Sequence, residues 1–89
     1  MNHVKAVREF IINNFLFGDF SALQDDKSFL ETGIVDSTGM LELVTYLESA
    51  YGFRIEPEEM IPENLDSVNR VAAFIDRKQS HSAASSQAH

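Results

Sequence analysis

The 89-residue chain predicts an all-α domain, a small four-helix bundle of three main helices and one short one, with a long loop between the first two. Three observations carry that prediction. Apolar residues recur at helical spacing in three separate stretches. The composition is 44% hydrophobic with only four glycines and two prolines, as in an ordinary helix-rich globular fold. A chain this short also holds one core and has no room for a second. Residues 1–78 are expected to form that domain and residues 79–89 a disordered C-terminal tail.

The first helix is expected over residues 3 to about 16. Val4, Val7, Ile11 and Phe15 form a stripe spaced three, four and four, and Phe10, Ile12 and Leu16 widen it enough to touch two neighbours. Gly18 stands where a helix-ending glycine would. Residues 18–36 then read as a loop, pinned to the bundle by Phe20, Leu23, Phe29, Leu30, Ile34 and Val35. Its run Asp25-Asp26-Lys27-Ser28 invites comparison with a calcium loop, but Lys27 falls where an oxygen ligand is needed and Leu30 where glycine is needed. A solvated turn is the better reading.

The second helix is expected from Ser37 to Tyr51, with Met40, Leu43, Val44, Leu47 and Tyr51 on one stripe, Asp36 as N-cap and Gly52 closing it. Phe53-Arg54-Ile55 reads as an extended link with two side chains turned inward. Pro57 suits the first position of a one-turn helix over 57–61, Glu58 and Glu59 suit its positive end, and Pro62 would stop it. Met60, Ile61 and Leu65 are the expected core contacts there. The last helix is expected from Ser67 to Lys78, capped by Asp66 or Ser67, with Val68, Val71, Ala72 and Ile75 on its stripe and Phe74 beside it. Arg77 and Lys78 would occupy its final turn. Beyond Lys78 no large apolar residue remains to anchor the chain.

Charge narrows the partners. The net charge is −7, and residues 25–66 hold eleven acids against two bases, so the acidity belongs to the middle of the chain. That argues against nucleic acid, which rewards clustered Lys and Arg. No apolar run reaches membrane-spanning length and the N-terminus lacks a signal peptide's order, so a cytoplasmic location is expected. There is no cysteine, and none of His3, His81 and His89 is expected in the folded middle, so no catalytic dyad can be assembled. Two histidines in a flexible tail make no metal site either.

Ser37 is the position that calls for chemistry. A serine before an apolar helix is usually a cap, but here Asp36 can cap, and Met40 stands where a capping box needs Glu or Gln. The Ser37 hydroxyl is then left to project where the helix begins, beside free backbone amides and a partial positive charge that favour a phosphate.

Gly33-Ile34-Val35-Asp36-Ser37, followed by Leu41-Glu42-Leu43 and Leu47-Glu48, resembles the acyl carrier proteins and the wider family of phosphopantetheine-carrying proteins, over about Val4 to Ile75. The resemblance implies a carrier and not an enzyme. Ser37, preceded by Asp36, would bear 4′-phosphopantetheine donated from coenzyme A by a phosphopantetheinyl transferase. The thiol of that arm would hold an acyl or aminoacyl thioester, loaded by a ligase and presented to downstream acyl-processing enzymes by a monomeric protein. Glu42, Glu48, Glu58 and Glu59 are the expected contacts for basic partner surfaces. Two other readings stand beside it: an acidic helical interaction module in which Ser37 only caps a helix, and a phosphorylation switch at Ser37.

Cargo is read from a departure. Fatty-acid carriers usually follow the modified serine with leucine and then an acid, whereas Thr38 and Gly39 stand here. A glycine in a first turn costs roughly 0.5–1 kcal/mol relative to alanine. Gly39 is either tolerated at a fraying end or clears space for a partner's backbone or the arm. Asp-Ser-x-Gly also resembles the D-alanyl carrier proteins, which implies a specialised carrier of an amino acid or unusual acyl group, in secondary metabolism or specialised lipid biosynthesis.

Overall fold

The computed structural model describes residues 3–16 and 23–87, the last seven of these by their backbone. Within them lie three long helices, α1 (His3–Phe15), α3 (Ser37–Tyr51) and α5 (Val68–Gln87), and two short ones, α2 (Phe29–Thr32) and α4 (Pro62–Leu65). A one-turn 3₁₀ helix covers Pro57–Glu59. No strand occurs among the described residues, and none of their helices is long and apolar enough to cross a membrane. The stop expected at Gly18 and the anchor expected from Phe20 lie outside the described residues.

The three long helices bury the stripes read from the sequence. Val7 and Ile11 of α1, Leu43, Val44 and Leu47 of α3, and Val68, Val71, Phe74 and Ile75 of α5 meet in one core with Phe53, Ile55 and Leu65. His3 lies against Tyr51, Phe10 stacks on Tyr46 with ring centroids 4.1 Å apart, and Phe15 faces Gly39. The numbers rise on α1 as they fall on α3, so the two helices lie side by side and antiparallel. Burial, with Tyr46 alongside, pushes the Tyr51 phenol above its ordinary range.

Several expectations fail in informative ways. The connection from residue 23 is not all loop. Phe29–Thr32 forms α2, capped by Ser28, whose hydroxyl accepts from Glu31 N, and ended by Gly33 at φ 76°. The signal was present as Ser28-Phe29-Leu30-Glu31, the spacing of a capping box, but four residues are too few to show a period. Leu23, Phe29 and Val35 are buried as expected, whereas Leu30 is exposed.

Pro62 starts a helix and does not stop one. Proline is as well suited to the first helical position as to the residue after a helix, and here it opens α4. The 57–61 helix accordingly shrinks to Pro57–Glu59, and Met60 and Ile61 turn outward in the joint between the two turns. Leu65 alone of the three expected contacts is buried.

The last helix runs on to Gln87, past Lys78, so Arg77 and Lys78 are not in its final turn and residues 79–87 are helical where a disordered tail was expected. Nothing between Gln79 and Gln87 breaks a helix: the stretch holds no glycine or proline, and its alanines are strong helix formers. Finally, His3 is buried in the fold, its Nε2 3.0 Å from Asp76 Oδ1.

Candidate functional site

Ser37 is the first residue of α3, and the elements before it fix where α3 begins. Asp36 is the N-cap: its Oδ1 accepts from Gly39 N at 2.7 Å, and its carbonyl takes the first helical bond from Met40 N at 2.8 Å. A carboxylate in that position also complements the positive helix end. Ser37 therefore does not cap the helix. It is exposed, and among the described residues its hydroxyl has no hydrogen-bond partner. The amides of Ser37 and Thr38 have no carbonyl four residues back within the helix. An exposed, unspent hydroxyl beside unpaired amides fits a phosphodiester linked at Ser37.

Gly39 has a structural reason that neither sequence-based explanation gave. A Cβ there would lie 2.7 Å from Phe15 Cε1 and 3.1 Å from Val35 Cγ1. The space left by Gly39 is filled from within the chain, by the last residue of α1 and the residue preceding Asp36. The glycine lets α1 approach the first turn of α3, and so holds the helix start in place.

Two depressions flank the Ser37 side of α3. Met40 and Leu41 follow Ser37 by three and four residues, the spacing that keeps them on its side of the helix. Leu41, 62% exposed, lines an open groove between α1 and α3 with Phe10, Thr38, Glu42 and Tyr46. Met40 lines an apolar cleft of about 160 Å³ with Leu30, Met60, Ile61 and Leu65. The three outward-turned side chains of α2 and the Met60–Ile61 joint thus converge beside the start of α3.

The four glutamates chosen as partner contacts divide two and two. Glu42 and Glu58 are exposed. Glu48 turns inward: its Oε2 accepts from Ile55 N at 2.8 Å and pins the extended link after α3. Glu59 receives Lys78 Nζ at 2.9 Å and Glu56 N at 2.9 Å, tying the 3₁₀ turn to α5. Both carboxylates are thus engaged within the chain. Sequence periodicity cannot reveal bonds of this kind, because a side chain reaching a backbone amide or a distant lysine leaves no pattern.

His3 and Asp76 form a histidine–carboxylate pair, but not one that can activate Ser37. His3 packs on Tyr51, fourteen residues along α3 from Ser37, about 21 Å at 1.5 Å per residue.

The family described as phosphopantetheine attachment site matches residues 19–75. A D-alanyl carrier protein of Abiotrophia defectiva is 30% identical over 53 residues, 60% of this chain and 67% of that protein. A chain in the crystal structure of an FAD-dependent dehydrogenase is 35% identical, covers 78% of this chain and 97% of its own length, and superposes with a TM-score of 0.68. The solution structure of a holo acyl carrier protein from Nitrosomonas europaea shares the fold at a TM-score of 0.74 and 24% identity, over 91% of this chain and all of that one.

Proposed function

This chain belongs to the phosphopantetheine attachment-site family, and on that premise we propose that Ser37 is its attachment residue, the foot of an arm that presents an acyl or aminoacyl thioester to partner enzymes. The protein is a carrier with covalent 4′-phosphopantetheine, and it is not an enzyme. The group supplies a thiol to a chain that has no cysteine. The chain supplies an exposed hydroxyl, relieved of capping by Asp36, with the Ser37 and Thr38 amides beside it. That division of labour between Asp36 and Ser37 is the single observation that carries the reading. It also disfavours the interaction-module alternative, which needs Ser37 as the cap.

The test is intact mass after incubation with a broad-specificity phosphopantetheinyl transferase and coenzyme A, followed by peptide mapping. One phosphopantetheine on the peptide containing Ser37 is expected. Recovery of the unmodified mass, or modification on another serine, would overturn the assignment.

Cargo and partners follow from the relatives. Similarity to a D-alanyl carrier protein supports a specialised carrier loaded by an adenylating ligase with an amino acid or unusual acyl group. Likeness to a chain from the structure of an FAD-dependent dehydrogenase supports a dehydrogenase of that kind among the downstream partners. In this reading the protein acts as a cytoplasmic monomer, where coenzyme A is available to the transferase.

Partners approach over Glu42 and Glu58, the two exposed acids of the four. Exposed pairs contribute only about 0.2–1 kcal/mol each, so the effect is collective and screened by salt. The association rate with the transferase should fall from low to physiological ionic strength, and Glu42→Gln should lower it by up to about fivefold at low salt. A rate independent of ionic strength would remove the electrostatic account.

A further inference from the structure

Asp66 and Ser67 were the two expected caps of the last helix, and Asp66 is the one that does something else. Ser67 caps α5, its Oγ accepting from Arg70 N at 3.1 Å. Asp66 is thereby released to hold three successive residues of the connection before α3. Its carbonyl accepts from Phe29 N at 2.8 Å, its Oδ1 from Leu30 N at 3.0 Å, and its Oδ2 from the Ser28 hydroxyl. The side chains so joined lie 38 residues apart in sequence, and Asp66 is only 7% exposed.

What Asp66 grips is the start of α2, and α2 connects to the attachment residue in two steps. Phe29 O accepts from Val35 N at 3.4 Å, and Val35 is fully buried with its Cγ1 against Gly39. Asp36 and Ser37 lie between those two contacts. The first residues of α2 also carry Leu30, which forms one surface with Met40 beside the Ser37 end of α3. A partner that reads Ser37 and this surface together needs α2 held in register with α3. Apolar burial of Phe29 fixes the depth of α2 but not its rotation, whereas three directional hydrogen bonds fix both.

Resting on the Ser37 reading, we infer that Asp66 is a positioning residue for loading: from the start of α5 it holds α2, and through Val35 the start of α3, in the arrangement a phosphopantetheinyl transferase binds. Without the carboxylate, α2 samples other positions and only a fraction of molecules is competent. Apparent affinity falls by that fraction while turnover of the bound complex does not change.

The variants Asp66→Asn, Ser28→Ala and Ser28→Thr, each made in the full chain, test this. Asp66→Asn keeps the volume but replaces the oxygen facing Ser28 or Leu30 with an amide donor, Ser28→Ala removes the Ser28 link from the other side together with the α2 cap on Glu31 N, and Ser28→Thr keeps the hydroxyl for both. In steady-state loading from coenzyme A, Asp66→Asn and Ser28→Ala should each raise the KM for the carrier by about five- to tenfold with kcat within about twofold. Ser28→Thr should keep the wild-type KM. In amide exchange, Leu30 and Glu31 should exchange faster in the first two variants, while Ile75 in the core of α5 keeps its protection. An unchanged KM in Asp66→Asn would overturn the inference, as would exchange accelerating equally at Ile75, which would make the bonds part of global stability only. Should Asp66→Asn not fold, Asp66→Glu, which keeps the charge but displaces the carboxylate from Ser28 and Leu30, replaces it in the same assays and should raise the KM likewise; an unchanged KM there would overturn the inference. A wild-type chain that accepts no phosphopantetheine overturns the Ser37 assignment and this inference with it; a wild type that loads beside variants with unchanged KM overturns the inference alone.

Discussion

Leu47→Ala is expected to remove about 2–5 kcal/mol of stability, the usual range for deleting a buried leucine side chain and leaving part of the cavity open. Leu47 is fully buried at the centre of the α3 stripe, flanked by Leu43 and Val44, and the core it enters is completed by Val7 and Ile11 from α1 and by Val71 and Ile75 from α5. No single neighbour can fill the space, because filling it means moving a helix that also packs elsewhere. A domain of this length holds on the order of 5–13 kcal/mol in total, at roughly 0.05–0.15 kcal/mol per residue. The loss is therefore a large fraction of the whole, and at about 4–8 °C per kcal/mol it corresponds to a melting temperature lower by roughly 8–40 °C. Urea denaturation measures it directly: the midpoint should fall with the slope unchanged. A midpoint shift that, multiplied by the slope, amounts to less than about 0.5 kcal/mol, the range of surface substitutions, would mean that α3 presents another face to the core.

Leu47 was legible in the sequence for the same reason that α3 was. Fifteen residues give four turns, enough for the period to show, and both ends carry their own chemistry: Asp36 supplies an acceptor at the start, and Gly52 adopts φ 74° at the end, where other residues are strained. The reading weakens wherever an element is too short to have a period. At α2 and α4 only caps and prolines speak, and proline at position 62 is compatible with either end of a helix. Apolar character alone misplaced Leu30, Met60 and Ile61, which are turned outward by the geometry of the short turns that carry them. Their exposure beside Met40 is a property of the assembled fold.

The candidate site was legible in part, and the dividing line is again physical. Asp36 and Ser37 are adjacent, and a local cap obeys local rules, so Asp36 as the cap and Ser37 as a residue released from capping could be read from the sequence alone. The inward bonds of Glu48 and Glu59 and the grip of Asp66 on residues 28–30 depend on which distant segments the core brings together. Gly39 belongs to the same group. Its small size is explained by Phe15 and Val35, neither of which a helical repeat associates with it.

Ser37→Ala should abolish phosphopantetheine loading and leave stability within about 0.5 kcal/mol of wild type, the range of surface substitutions. The loss should be complete because no neighbour can substitute. Thr38 carries the next hydroxyl, but one residue along a helix is a rotation of about 100°, which turns it away from the position Ser37 occupies. Stability should hold because the bond that starts α3 runs from Asp36 Oδ1 to Gly39 N and does not involve Ser37, and because alanine is the best helix former for the first turn. The informative comparison is Asp36→Ala. That change removes the acceptor of Gly39 N and should cost about 0.5–2 kcal/mol while keeping the Ser37 hydroxyl present. Loading measured by intact mass and stability measured by urea midpoint should therefore separate the pair. Ser37→Ala loses the first and keeps the second; Asp36→Ala loses part of the second and still accepts phosphopantetheine, more slowly. The reverse pattern, with Ser37→Ala lowering the midpoint and still gaining the mass of a phosphopantetheine, would make Ser37 the structural residue and move the attachment site elsewhere.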